Sequence, residues 1–301
     1  MSSYSIKDLE RISSMKAHTI RIWEQRYGLF SPERTESNIR YYDDDQLKKL
    51  LNVCTLLGQG MKISKISQLS KTQIAEEIER IISDSAHADA QIEAIVNQAL
   101  VAASTFDGAL FEETFNQALK SLGMRKTYEK VIYPLLVRTG LMWIKDDMLP
   151  SQEHFLSNLI RQKLFAAINA LPLPAQSAQK WLLFLNEEED HEIGLLFAHY
   201  LIRESGQNVV YLGARVPYND LSKVVQQCQP THIYSFVVNN QFQEKLPGLV
   251  EKLTSDFKSC RICISGGSPG IQNAISKYPV TQIASIDKLI DIINNDAKHR
   301  S

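Results

Sequence analysis

The string Glu189-Asp190-His191-Glu192-Ile193-Gly194 places a carboxylate two residues before an imidazole and a glycine three residues after it. A loop histidine held by a neighbouring acid suits metal ligation, because the acid accepts one ring N–H, fixes the tautomer and raises the basicity of the other nitrogen. The string follows an apolar run, Trp181-Leu182-Leu183-Phe184-Leu185, and precedes a helix-like segment. Farther on, Ser235-Phe236-Val237 offers a hydroxyl, and Gly266-Gly267 offers backbone with no side chains to block an approach. All three pieces fall at the ends of expected strands.

The elements that must hold them alternate regularly. Strands are expected at Trp181 to Leu185, Asn208 to Leu212, His232 to Val238, Arg261 to Ser265 and near Gln282 to Ala284. Helices are expected at Glu192 to Glu204, Tyr218 to Gln227, Gln243 to Thr254, Gln272 to Lys277 and Ile286 to Asn294. Repeated βα units of this kind make a parallel sheet covered on both faces, which binds ligands beyond the carboxyl ends of its strands. Upstream, four apolar-periodic stretches at about 88 to 104, 107 to 121, 125 to 143 and 151 to 170 read as a four-helix bundle, and Leu171 to Gln179 as a linker. A helical connector is expected from Thr72 to Ala86.

The amino-terminal part has another character. Ser5 can cap a first helix through Arg11, Ile12-Ser13-Ser14 forms a turn, and Lys16 to Arg26 gives a second helix with Ile20, Trp23 and Tyr27 as its packed stripe. Pro32 to Tyr42 reads as a polar hairpin, and Asp43-Asp44-Asp45 starts a third helix carrying Leu47, Leu50 and Leu51. This is a winged helix-turn-helix. Residues 1 to 71 hold 12 basic against 8 acidic side chains and the remainder 21 against 26, so a positive end sits on a chain of net charge -1.

At 301 residues with 44% hydrophobic content, the chain can bury two or three cores. No apolar run approaches the roughly 18 residues that span a bilayer, and Met1 to Ser5 lacks the order of a signal peptide, so a cytoplasmic protein without membrane partners is expected. Cys260-x-x-Cys263 has no second pair, and Arg261 to Ser265 reads as a buried strand, so these cysteines belong to the core.

Thr19 to Leu29, with Pro32, Arg34, Arg40 and Tyr41-Tyr42, resembles the DNA-binding domain of the MerR family of bacterial transcription regulators over roughly residues 4 to 70. The resemblance implies a recognition helix in the major groove, a wing on the backbone, and two such domains on an inverted repeat of double-stranded DNA. By direct reading Lys16, His18, Thr19, Arg21 and Arg26 lie on or near the open face of the helix. Arg34, Arg40 and Tyr41 are the wing residues placed to touch phosphate or the minor groove.

The Glu-x-His-x-x-Gly string with Ser235, Val237, Gly266 and Gly267 resembles cobalamin-binding modules. This implies cobalt ligation by His191, support from Glu189, close approach at Gly194, and a slot for the displaced nucleotide tail. Trp143, nine intervening residues, then Glu153-His154 resembles the signature of CarH-type regulators, MerR-like repressors that sense light through adenosylcobalamin. It implies Trp143 over the upper corrin face and Glu153 and His154 near the adenosyl group. Assembly of a homo-oligomer, dimer or tetramer, in the dark and its dismantling by light also follow from that resemblance. Ile144 stands where the best-known photoreceptors of this type carry a second cobalt-binding histidine, and an aliphatic side chain cannot ligate.

The expected architecture is therefore multidomain. A winged helix-turn-helix, all-α in class, occupies 1–71, a four-helix bundle capping the cofactor occupies 75–171, and an α/β flavodoxin-like, doubly wound cobalamin-binding domain occupies 179–301. No enzymatic step is expected. A corrinoid carrier for methyl transfer is the alternative that a bundle and a cobalamin module also allow, but it has no use for Arg21, Arg34 and Arg40. A regulator that has abandoned the cofactor is a further alternative, and intact His191 counts against it.

Overall fold

The computed structural model describes residues 4–13, 15–34, 40–83, 88–144, 148–175, 178–238, 245–266 and 270–298. They fall into two compact units, Met1–Leu159 and Ile160–Ser301, and the division lies within one long helix.

The first unit opens with a two-residue strand, β1 (Tyr4–Ser5), followed by α1 (Ile6–Ser13) and α2 (Ala17–Tyr27). Ser5 caps α1 as expected: its Oγ accepts the Asp8 N–H at 3.2 Å, and the Asp8 carboxylate accepts the Ser5 N–H at 2.6 Å. The helix runs two residues farther than its pattern suggested. Ile12 lies three residues after Leu9, and both are buried, so Ile12 belongs to the packed stripe instead of the turn. Ile20 and Trp23 form the buried stripe of α2, and Gly28 ends it in the left-handed conformation at φ 61°, donating its N–H to Glu24 O.

Strands β2 (Glu33–Arg34) and β3 (Arg40–Tyr42) make the wing. With β1 they close a three-stranded antiparallel sheet in the order β1-β3-β2, in which Tyr4 pairs with Tyr42 and Arg34 with Arg40. Helices α3 (Asp44–Gly58), α4 (Ile63–Ile66) and α5 (Lys71–Ser83) follow, with Asp43 capping α3 through the Gln46 N–H at 2.8 Å. The bundle helices are α6 (Ala88–Ser104), α7 (Gly108–Thr127), α8 (Tyr133–Ile144) and α9 (Pro150–Ala170). Gly123, at φ 73°, kinks α7, and a π-helical turn over Tyr128–Ile132 joins α7 to α8. Helix α6 buries Ala94, Ile95, Val96, Ala99, Leu100 and Val101, which makes it the centre of this unit. Both α3 and α5 pack against it, so α5 is a packed element and not a mere connector.

In the second unit, β4 (Lys180–Asn186), α10 (Ile193–Glu204), β5 (Asn208–Val216), α11 (Tyr218–Cys228), β6 (His232–Phe236), α12 (Leu246–Asp256), β7 (Arg261–Ser265), α13 (Gly270–Ile275), β8 (Val280–Ile283) and α14 (Ile286–Lys298) alternate along the chain. The five strands are parallel in the order β5-β4-β6-β7-β8. The order reverses between β4 and β6, and that switch point is where a doubly wound sheet opens a crevice at its carboxyl edge. One face is a single apolar cluster in which Leu182, Phe184, Ile233, Val237, Ile262 and Ile264 meet Leu246, Val250 and Leu253 of α12 and Ile271 of α13. Cys263 is buried in β7 and Cys260 donates to the Pro230 carbonyl, so both serve packing.

Candidate cobalamin site and nucleic-acid interface

The loop after β4 is organised by one carboxylate. Glu189 is fully buried, and its Oε1 accepts the N–H groups of Asp190 at 3.1 Å and His191 at 3.2 Å and the His191 Nδ1 at 2.5 Å. Its Oε2 accepts the N–H of Val238, just past β6, at 2.8 Å. A buried carboxylate is tolerated only when donors replace its water, and here three backbone amides and an imidazole do so. With Nδ1 committed as the donor to Glu189, Nε2 is the nitrogen of His191 whose lone pair can bind a metal, on a side chain 62% exposed. Among the described residues no three His, Cys, Asp or Glu side chains gather as a protein-only metal site would require.

The loop is braced on both sides. Asp190 is chelated by the guanidinium of Arg215, which holds its carboxyl below the usual range, and Glu188 pairs with Lys245. Glu192, the first residue before α10, receives Arg161 from the middle of α9 at 2.9 Å and the Tyr211 hydroxyl at 3.0 Å.

The remaining cofactor candidates separate into two groups. Successive residues of a strand face opposite sides. Ser235 therefore joins the side of Ile233 and Val237, whereas Phe236 turns to α10. Ser235 is fully buried, and among the described residues its Oγ has no hydrogen-bond partner. Beside it, Val237 donates its N–H to the Ser265 carbonyl at 2.8 Å, and its own carbonyl lies 2.2 Å from where a Cβ on Gly266 would stand. Gly266 is thus a glycine because its own chain crowds it, with Ile271 Cδ1 equally close. Gly194 lies on the other side, where an added Cβ would stand 3.0 Å from the Phe236 ring. Its bareness seats that ring, a role the motif alone does not announce. Gly267 lies outside the described residues. A cavity of about 260 Å³ on the α11 and α12 side is lined by Asn186, Tyr218, Lys245 and Lys252 among others, and neither His191 nor Ser235 lines it.

In the helical unit, α9 begins at Pro150, and its first turn brings Glu153 Oε2 to 2.9 Å from His154 Nδ1, on a histidine side chain 73% exposed. Trp143 falls in the last turn of α8, with its side chain outside the described residues.

On the candidate nucleic-acid face, Lys16, His18, Arg21 and Arg26 are exposed along α2 and Thr19 is half-buried. Lys16 pairs with Glu10, and the Arg26 guanidinium lies over the Tyr27 ring. Arg34 is exposed on β2, and Tyr41 donates to Glu33 across the hairpin. Arg40 is occupied differently: its Nε donates to Glu24 Oε1 at 3.0 Å, and Tyr42 donates to Oε2 of the same carboxylate at 3.1 Å. Glu24, only 13% exposed, thereby clamps the wing strand to the recognition helix, and burial and Glu24 together raise the Tyr42 phenol above its ordinary range. Nothing in the spacing of Glu24 singled it out.

Residues 4–73 match the MerR HTH family regulatory protein model, and residues 95–167 match a B12 binding domain model, the latter lying on α6 to α9. The chain is 29% identical over 254 residues to the HTH-type transcriptional repressor CarH of Myxococcus xanthus, covering 83% of this chain and 84% of that protein. It is 24% identical over 292 residues to the HTH-type transcriptional repressor CarA of the same organism, covering 96% of each. The monomethylamine corrinoid protein of Methanosarcina barkeri shares the fold, at 14% identity and a TM-score of 0.52, over 66% of this chain and 97% of that one. Among the described residues no helix is long and apolar enough to cross a membrane.

Proposed function

Because the chain is a MerR-type regulator of the CarH type, joining a helix-turn-helix to a B12-binding domain, we propose that it is a transcriptional repressor governed by adenosylcobalamin. The observation that carries this reading is the imidazole of His191 held by the fully buried Glu189 at the switch point of the sheet. Glu189 keeps the proton on Nδ1, so Nε2 is offered as a neutral ligand of raised basicity. When bound, the corrinoid supplies a cobalt–carbon bond that light can break.

The fit of the chain's own residues supports the reading. Ser235 Oγ is a buried hydroxyl for which the tail of a base-off cobalamin would supply a partner. On the α10 side, Phe236 stands on Gly194, and a group entering there has to turn that ring aside. We also assign Trp143, Glu153 and His154 to contact with the cofactor. We take the functional domains as 1–71, 75–171 and 179–301. DNA contact falls to Lys16, His18, Thr19, Arg21, Arg26 and Arg34, with two winged domains of an oligomer on an inverted repeat, and the salt dependence of that contact is steep. Ile144 cannot ligate cobalt, so light acts here without a second histidine at that position.

The test is to mix the full chain with adenosylcobalamin in darkness, record the absorption spectrum and the oligomer size, then illuminate and repeat, with His191→Ala in parallel. A bound spectrum that His191→Ala abolishes is expected, with a larger species in the dark. A spectrum equal to that of free cofactor, unmoved by the substitution, removes the cobalamin reading. Binding with no effect of light on size removes light sensing alone.

A further inference from the structure

The corner between α6 and α7 joins the wing to the start of α9. Helix α6 stops at Ser104, and Phe106 takes the left-handed conformation at φ 53°; Val101, Ala102 and Ala103 still accept from the amides of Thr105, Asp107 and Phe106, and the Ser104 carbonyl is the one left to side chains. The Ser104 carbonyl, in a fully buried setting, accepts from two side chains: the Gln152 Nε2 at 2.6 Å and the Tyr4 hydroxyl at 3.1 Å. Both ends of the Gln152 amide are engaged, since its Oε1 accepts the Leu149 N–H at 2.9 Å and so shapes the first turn of α9. Glu153 and His154 are the next two residues. Tyr4 is the first residue of β1, paired with Tyr42 of the wing strand, and its single hydroxyl proton is shared with Asp44 Oδ1 at 2.9 Å, in the first turn of α3. Two neighbours brace the same corner: Asp107 caps α7 and pairs with Lys48 of α3 at 3.2 Å, and the Phe106 ring meets Phe155 edge-on at 5.5 Å.

We propose that the Ser104 carbonyl is a mechanical joint, through which Gln152 and Tyr4 make the position of the Glu153–His154 turn and the position of the wing depend on each other. The assignment of Glu153 and His154 to the cofactor rests on the function proposed above; the joint itself rests on geometry. A carbonyl has two acceptor sites, so it holds both donors at once only while α9 and β1 keep their present spacing. A shift of the α9 turn withdraws Nε2, and the Tyr4 proton then redistributes between Ser104 and Asp44. That moves the strand that carries Arg40 and Tyr41. Gln152 and Tyr4 act here as positioning residues that touch neither cofactor nor DNA.

Amide hydrogen exchange on the full chain tests this without any ligand. Tyr4→Phe should speed exchange in the first turn of α9 about fivefold, and Gln152→Met should do the same in β3 and the start of α3, each far along the chain from its own site. The double variant should change little beyond either single one. Effects confined to the substituted residue's own element overturn the joint. If Gln152→Met does not fold, Tyr4→Phe, which removes one oxygen from a retained ring, decides alone. Adenosylcobalamin added in darkness should slow exchange in both α9 and β3 of the parent chain, but only in α9 of Tyr4→Phe. A free-cofactor spectrum in that arm removes the cobalamin reading and leaves the ligand-free comparison to decide the joint.

Discussion

Glu189 takes the Val238 N–H at 2.8 Å with the oxygen that its bond to His191 leaves over, so one buried carboxylate holds both the ligand loop and the end of β6. Replacing it by glutamine keeps the shape but turns one acceptor into an NH₂ facing donors. Glu189→Gln should cost about 2 kcal/mol in urea unfolding and weaken adenosylcobalamin binding between 10- and 100-fold, roughly the loss usual for a ligand's supporting carboxylate. Spectral titration beside the unfolding curve checks it. Undiminished affinity would mean that the acid does not support the imidazole.

Arg40 and Arg21 should part company on DNA. The Arg40 guanidinium is engaged by Glu24, whereas Arg21 is exposed on the recognition helix. Arg21→Gln should lower the slope of log affinity against log salt by about 1, as one phosphate contact is lost. Arg40→Gln should weaken binding at constant slope, because it loosens the wing without removing a contact. A drop in slope for Arg40→Gln equal to that for Arg21→Gln would place Arg40 on phosphate instead.

The two motif glycines should differ in their tolerance of a methyl group. At Gly266 the obstacle is the Val237 carbonyl 2.2 Å away, in backbone that is itself bonded to β7, so Gly266→Ala should cost about 3 kcal/mol. At Gly194 the obstacle is the edge of the Phe236 ring at 3.0 Å, which can turn, and Gly194→Ala should cost about 1 kcal/mol, recovered by Phe236→Leu. Equal costs, measured by urea unfolding, would show that the ring is as immobile as the strand.

His199 gives the fold a proton-linked weakness. It is buried in α10 with its ring stacked on Tyr211 at 5.1 Å, and burial, assisted by Arg203, pushes it down to about 4 from an ordinary 6.5. As the pH falls below 6.5 the unfolded chain takes up a proton that the folded protein refuses until about 4, so the contribution is whole above 6.5 and drains across that interval. The slope is on the order of 1 kcal/mol per pH unit. His199→Phe should remove that part of the acid sensitivity, which comparison of unfolding curves at pH 7 and pH 4.5 measures. Parallel losses in parent and variant would exonerate the imidazole.

The elements were legible because each carries its own local cause. Trp181 to Leu185 and Arg261 to Ser265 are apolar runs of strand length, Ser5 is a cap, and the run Asp43-Asp44-Asp45 suits a helix start, so periodicity and capping placed strands and helices within a few residues. The pairing of Glu189 with His191 was legible for the same reason, the two being separated by one residue. Tertiary structure decided what lies between distant segments. The closure of β1 onto the wing, the clamp of Glu24 on Arg40, the ring of Phe236 over Gly194 and the meeting of Tyr4 with Gln152 at Ser104 all depend on which faces two elements turn to each other. Residue spacing along one element carries no record of the distance to another; that distance is set by packing of the whole core, and only there do single polar side chains acquire their partners.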